Sequence, residues 1–127
     1  MVEQTDWIGK SLCIKFTGTV TADDINHANE LFSEDRFFKP KFIINDLLLT
    51  TGTDFDKDDI EMKAYYANTA ATIWKESVEL TEIFITTNPE HADKLWYYYT
   101  LMKKINPHWK IAIAGNAEEA SDIMRES

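Results

Sequence analysis

Four short apolar runs alternate with four amphipathic stretches of helical period along this 127-residue chain, and that rhythm constrains its fold more than any motif. Strands that alternate with helices form a mainly parallel sheet, because a parallel neighbour is reached only through a crossover long enough to hold a helix. The expected architecture is therefore α/β: an open, mainly parallel four- or five-stranded sheet with helices on both faces.

The first run, Leu12, Ile14 and Phe16 alternating with Cys13, Lys15 and Thr17, reads as a strand near a sheet edge. Val2 to Trp7 would add the fifth strand. Gly18-Thr19-Val20-Thr21 is expected to turn the chain, and Thr21 with Asp24 three residues on has the form of a helix cap. The helix that follows should bury Ile25, Ala28, Leu31 and Phe32. Phe42-Ile43-Ile44, introduced by Pro40, is a continuous apolar run suited to a central strand covered on both faces.

Asn45 to Asp54 is expected to be a loop, with Asp46 closing the strand. Beyond it, Ile60, Ala64, Ala67, Ala71 and Trp74 predict the longest helix, running to about Glu76 with Asp56, Asp58 and Asp59 at its electropositive start. Val78 to Thr86 predicts the third strand. Asn88-Pro89 is a strong start signal for a helix from Pro89 to about Ile105, which Asn106-Pro107 stops. Ile111 to Ala114 reads as the last strand, and Ala117, Ala120, Ile123 and Met124 as the buried side of a last helix. Residues 1–127 read as one domain.

Composition narrows the function. Thirteen Lys and Arg against twenty-two Asp and Glu give a formal charge of -9, which repels phosphate backbones and argues against nucleic acid. The single cysteine, Cys13, has no partner within the chain and reads as a small buried hydrophobe rather than a reactive thiol. No apolar stretch approaches the roughly 18 residues of a membrane span, and acids stand where a secretory signal would carry bases, so a cytoplasmic location is the expectation.

Catalytic and metal signatures fail on spacing. Asp54, Asp56 and Asp58 begin like a calcium loop, but Asp59 stands where the turn needs Gly and Tyr65 where it needs the closing Glu. His27, His91 and His108 form no i, i+4 pair, and neither a Gly-flanked nucleophile nor a Gly-rich phosphate loop is present. The expectation is no metal, no cofactor and no enzymatic activity.

Two features remain as candidate sites. Asp46, Thr50, Thr51, Thr53 and Asp54 form a candidate switch or anion-binding loop at the start of the long helix, where backbone donors favour an anion; in the simpler reading Thr53 or Asp54 only caps that helix. Trp96-Tyr97-Tyr98-Tyr99 cannot all face one core. Trp96 and Tyr99 fall with Ala92 and Leu95 and are expected in the core, whereas Tyr98, Leu101 and Ile105 fall on a second stripe, either a wide core face or a partner surface.

Over nearly its whole length the chain resembles the STAS superfamily, and within it the SpoIIAA-like group of small bacterial proteins. The likeness rests on the order of elements, on Gly18-Thr19-Val20-Thr21-Ala22-Asp23-Asp24 after the early strand, and on Ile43-Ile44-Asn45-Asp46-Leu47 at the central strand's end. STAS domains that act as anti-sigma factor antagonists have an Asp-Leu-Ser or similar tripeptide here, phosphorylated to release a partner. In this chain Asp46-Leu47 is followed by Leu48, and hydroxyls come only from Thr50 onward.

The resemblance implies the fold and a non-enzymatic role in binding. The leading expectation is a regulatory or protein-interaction module, in one form a homodimer. The alternative is a small apolar ligand or lipid in a pocket at the strand carboxyl ends, lined by Leu47, Leu48, Leu49 and Tyr65.

Overall fold

A computed structural model of the chain describes residues 1–33, 40–73 and 79–126. Its elements, in chain order, are β1 (Val2–Ile8), β2 (Ser11–Thr21), α1 (Ala22–Ser33), β3 (Phe42–Asp54), α2 (Lys57–Ile73), β4 (Leu80–Ile85), α3 (Pro89–Ile105), β5 (Trp109–Ala114) and α4 (Ala117–Arg125). The strands form one five-stranded sheet in the order β1-β2-β3-β4-β5. β1 pairs antiparallel with β2 through a turn at Gly9, whose φ of 60° suits a residue without a side chain. All later pairs are parallel.

This order places the helices. Right-handed crossovers that all step the same way across a sheet put their helices on one side. α2 accordingly packs between α1 and α3, above a core of Leu12, Ile14, Phe16, Ile43, Leu80 and Phe84. α4 follows the last strand and lies on the opposite side, where Ala120, Ile123 and Met124 meet Phe42, Ile83, Ile85 and Ala114. β4 is covered from both sides, and all six of its residues are buried.

Several caps form as their residues dictate. Thr21 and Asp24 exchange bonds at the start of α1, Thr21 N donating to Asp24 Oδ2 at 2.9 Å and Asp24 N to Thr21 Oγ1 at 3.3 Å. Burial pulls the Asp24 carboxyl up, but the Thr21 N–H and the nearby N-terminal ammonium prevail and hold it below its usual range. Asn88 accepts from Glu90 N at 3.0 Å in front of Pro89.

The main departure from the sequence reading lies in the middle of the chain. Gly18 to Thr21 do not turn away, and Asn45 to Asp54 are not a loop: β2 and β3 run on side by side, Thr17 opposite Leu49 and Thr21 opposite Asp54. Two register shifts, one on either side of the Thr17 and Gly18 pairs, let the ladder continue, with Gly18 at φ 65°. The cap of α2 is therefore neither Thr53 nor Asp54 but Asp56. Asp59 N donates to Asp56 Oδ1 at 3.1 Å, and Asp56 N to Asp59 Oδ2 at 2.9 Å. Of the residues expected on buried helical faces, the side chains of Leu31, Phe32 and Ala71 and the whole of Trp74, with the expected helix end at Glu76 and strand start at Val78, lie outside the described residues.

Candidate functional site

Parallel strands bring residues from distant parts of the chain to one level, and at the level of Glu82 this produces a buried polar centre. Glu82 lies mid-strand in β4, fully buried on the side facing α1–α3. Its Oε1 accepts from Tyr98 Oη at 2.8 Å and Trp109 Nε1 at 3.1 Å, and its Oε2 from Asn45 Nδ2 at 2.9 Å. Lys63 Nζ stands 3.3 Å from Oε2 and also donates to Asn29 Oδ1 at 3.4 Å. The donors match the carboxylate's roughly four lone-pair sites, which is what an ionised acid needs to stay buried. Burial and the Glu82 charge push the Tyr98 hydroxyl well above its ordinary pKa, so it stays a donor.

Directly beside this centre is a cavity of about 70 Å³ between the sheet and the amino-terminal halves of α1, α2 and α3. Phe16, Val20, Leu47, Ile60, Phe84 and Leu95 supply much of its wall. Tyr98 meets Phe84 edge to face, with ring centroids 6.0 Å apart. The few polar groups are Asn45 and Lys63 from the Glu82 centre and Thr53, His91 and Lys94 from the other side.

These last three are held by bonds between β3 and α3. Lys94 Nζ donates to Thr53 Oγ1 at 2.5 Å and to the carbonyl of Phe55 at 2.8 Å, and lies 4.3 Å from the Phe55 ring centroid. Thr53 in turn donates to Glu90 Oε1 at 2.7 Å, the main reason that carboxyl lies below its usual range. His91 is buried, with Nδ1 2.9 Å from Thr86 Oγ1 and Nε2 3.4 Å from Thr50 Oγ1. Burial lowers its pKa, and Lys94 acts in the same direction against the opposing pull of Glu90 and the Gly52 backbone.

The residues singled out from sequence divide. Leu47 and Thr53 line the cavity, and Thr50 reaches it through His91. Leu48, Leu49 and Tyr65 do not: they are 43%, 56% and 70% exposed. Thr51 and Asp54 are exposed residues of a strand rather than of a loop, because β3 pairs with β2 to its end. Asp46 lies on the other side of the sheet, accepting from Leu48 N at 3.1 Å and lining a separate open groove of about 390 Å³ with Cys13, Lys15 and Met124. Burial and the neighbouring Asp6 raise the Cys13 thiol, which keeps it protonated.

The buried face of α3 keeps Leu95 as expected but is turned away from Ala92 and Trp96. Its core stripe is His91, Leu95, Tyr98 and Met102. Tyr98 is 2% exposed and Leu101 is partly buried against the same core; Ile105 is 40% exposed near the helix end. Trp96, expected inside, is 66% exposed and stacked on Tyr99 at 5.3 Å between centroids.

No spacing rule in the sequence points to Glu82, Lys63, Asn29, His91 or Lys94 as site residues. One signal was available for the first: an acid in the middle of an apolar run that should be covered on both faces must have buried partners. Among the described residues, no group of three or more His, Cys, Asp or Glu side chains is placed to hold a metal, and no helix is long and apolar enough to cross a membrane.

No family model and no curated protein matches the chain by sequence. Solved structures share its fold, two of them as follows. The anti-sigma factor antagonist SpoIIAA in its unphosphorylated form aligns with a TM-score of 0.57 at 13% identity, over 98% of this chain and 98% of that one. A DUF3478-family protein of SpoIIAA-like fold from Shewanella loihica aligns with a TM-score of 0.50 at 13% identity, over 94% of this chain and 89% of that one. The chain therefore has the SpoIIAA-like, STAS-type fold.

Proposed function

We propose that this chain is a non-enzymatic binding module and that its working site is the cavity beneath α1, α2 and α3, which takes a small, mainly apolar ligand. The observation that supports this reading is the cavity's make-up: carbon on most sides, with a few convergent polar groups, Asn45 and Lys63 on one side and Thr53, His91 and Lys94 on the other. Sites of that kind select by shape and use the polar groups for orientation. The groups present serve binding better than catalysis, because Glu82 is saturated with donors and His91 is held between two threonines.

Xenon under pressure tests the cavity without assuming any ligand, since dry apolar cavities take it up. Amide and methyl shifts that saturate with pressure around Ala28, Leu47 and Leu95, and that vanish in Ala28→Leu, are the expected result. Absence of any such shift in the wild type would refute the reading.

A second reading, regulation through a protein partner or a second copy of the chain, is supported by the exposed Trp96–Tyr99 stack, since aromatic side chains are enriched at interfaces. The shared fold with an anti-sigma factor antagonist is in keeping with it. Sedimentation of the wild type and of Trp96→Ala across concentration tests the self-association form: a concentration-dependent dimer weakened by the substitution supports it, and a monomer throughout excludes it.

A further inference from the structure

The charges around the cavity run against the composition of the chain. Acids outnumber bases by twenty-two to thirteen, yet among the described residues no Asp or Glu lines the cavity, whereas Lys63, Lys94 and His91 do. Lys63 faces Glu82 at 3.3 Å, so that charge is met inside the protein. Lys94 differs, because the acceptors at hydrogen-bonding distance from its ammonium, Thr53 Oγ1 and the Phe55 carbonyl, are both neutral. An ammonium has three donors, and an ionised acceptor would bind it more strongly than either of these.

We propose that the ligand is a small carboxylate with an apolar body, the body seated among Phe16, Leu47, Ile60 and Leu95 and the carboxylate at the mouth accepting from Lys94. The proposal rests on the cavity being a ligand site. Three features favour a monoanion over other head groups. A cationic ligand would meet Lys94 and Lys63. A neutral one would leave the Lys94 ammonium with neutral hydrogen-bond acceptors only. A phosphate, carrying up to two charges, would have one ammonium to pair with and would be repelled by Glu90, in the first turn of α3, more strongly than a monoanion, at the helix end where a phosphate would otherwise be favoured. The Lys94 ammonium itself lies over the Phe55 ring, 4.3 Å from its centroid, so it can exchange the Phe55 carbonyl for a ligand oxygen while staying on the ring.

Hexanoate and hexanamide share an apolar chain and differ in charge, which makes them a matched pair for calorimetric titration at pH 7. The expected result for the wild type is a preference for hexanoate of about tenfold or more, the size of one charge-assisted hydrogen bond. In Lys94→Met the preference disappears while hexanamide binding persists, and in Lys94→Arg the preference persists. Equal affinity for the two compounds in the wild type overturns the carboxylate inference and leaves the cavity as a site. Binding of neither compound overturns both.

Discussion

Tyr98 on α3 donates a 2.8 Å hydrogen bond to Glu82 in the middle of β4, and through it a helix is tied to a charge at the centre of the sheet. The same carboxylate binds Asn45 of β3, Trp109 of β5 and Lys63 of α2, so one acid joins five elements. Burying an ion pair contributes little net stability, but removing one member leaves the other uncompensated.

Glu82→Ala is therefore expected to destabilise the fold by roughly 3–5 kcal/mol, because the buried Lys63 then loses the Glu82 charge it faces. Tyr98→Phe removes one hydrogen bond to a charged group and should cost about 1.5–3 kcal/mol. Glu82→Gln, which keeps an acceptor oxygen but loses the charge, should fall between Glu82→Ala and the wild type. Urea unfolding measures all three, and a loss under about 1 kcal/mol in Glu82→Ala would show that the centre does not hold the elements together.

His91 sets a pH dependence whose sign follows from its lowered pKa. In the folded state the ring resists protonation, while in the unfolded chain it titrates near 6.5. Below that value the unfolded state binds more protons, so stability falls as pH drops through about 6.5 and levels off below the folded-state pKa. The lowered carboxyls of Asp24 and Glu90 act in more acid solution, where stability is lost as pH falls through the unfolded carboxyl range and on toward their folded values. Thermal melts from pH 7.5 to 5 should show this decline, and His91→Gln should flatten it. A decline of equal slope in the variant would assign it to another group.

Periodicity served best where packing is local. The helical stretches and their caps at Thr21 and Asn88 were legible because a cap depends on residues two or three apart. The extension of β3 was hidden because Thr50 to Asp54 carry turn-forming Gly and Asp, and only the pairing with Thr17 to Thr21 shows them to be strand. In α3, His91 disguised the core stripe: without knowledge of Thr86 and Thr50, a histidine does not mark a buried face. Lys63 and Glu82 lie on different elements, and no spacing rule relates them.

Leu101→Glu separates the two faces of α3. Leu101 packs against the core, so a charge there should destabilise the monomer itself. Trp96→Ala, on the exposed face, should change stability by less than about 0.5 kcal/mol. Chemical unfolding of both variants checks the assignment, and a large loss in Trp96→Ala with none in Leu101→Glu would return the helix to the orientation expected from sequence.

Filling the cavity should trade binding for stability. Ala28 is 4% exposed and lines the cavity, so a longer side chain at this position has apolar space to enter. Each methylene that is buried without strain contributes about 0.8 kcal/mol, and Leu is also a good helix former within α1. Ala28→Leu is therefore expected to raise the stability of the protein by about 1–2 kcal/mol while abolishing uptake of xenon and hexanamide. Natural cores seldom leave apolar space unfilled unless something enters it, since packing density elsewhere is near that of a crystal. A destabilised Ala28→Leu would mean that the wall cannot admit the side chain, and the space would then be a packing defect rather than a site. A stabilised variant that still binds hexanamide would place the ligand elsewhere on the molecule.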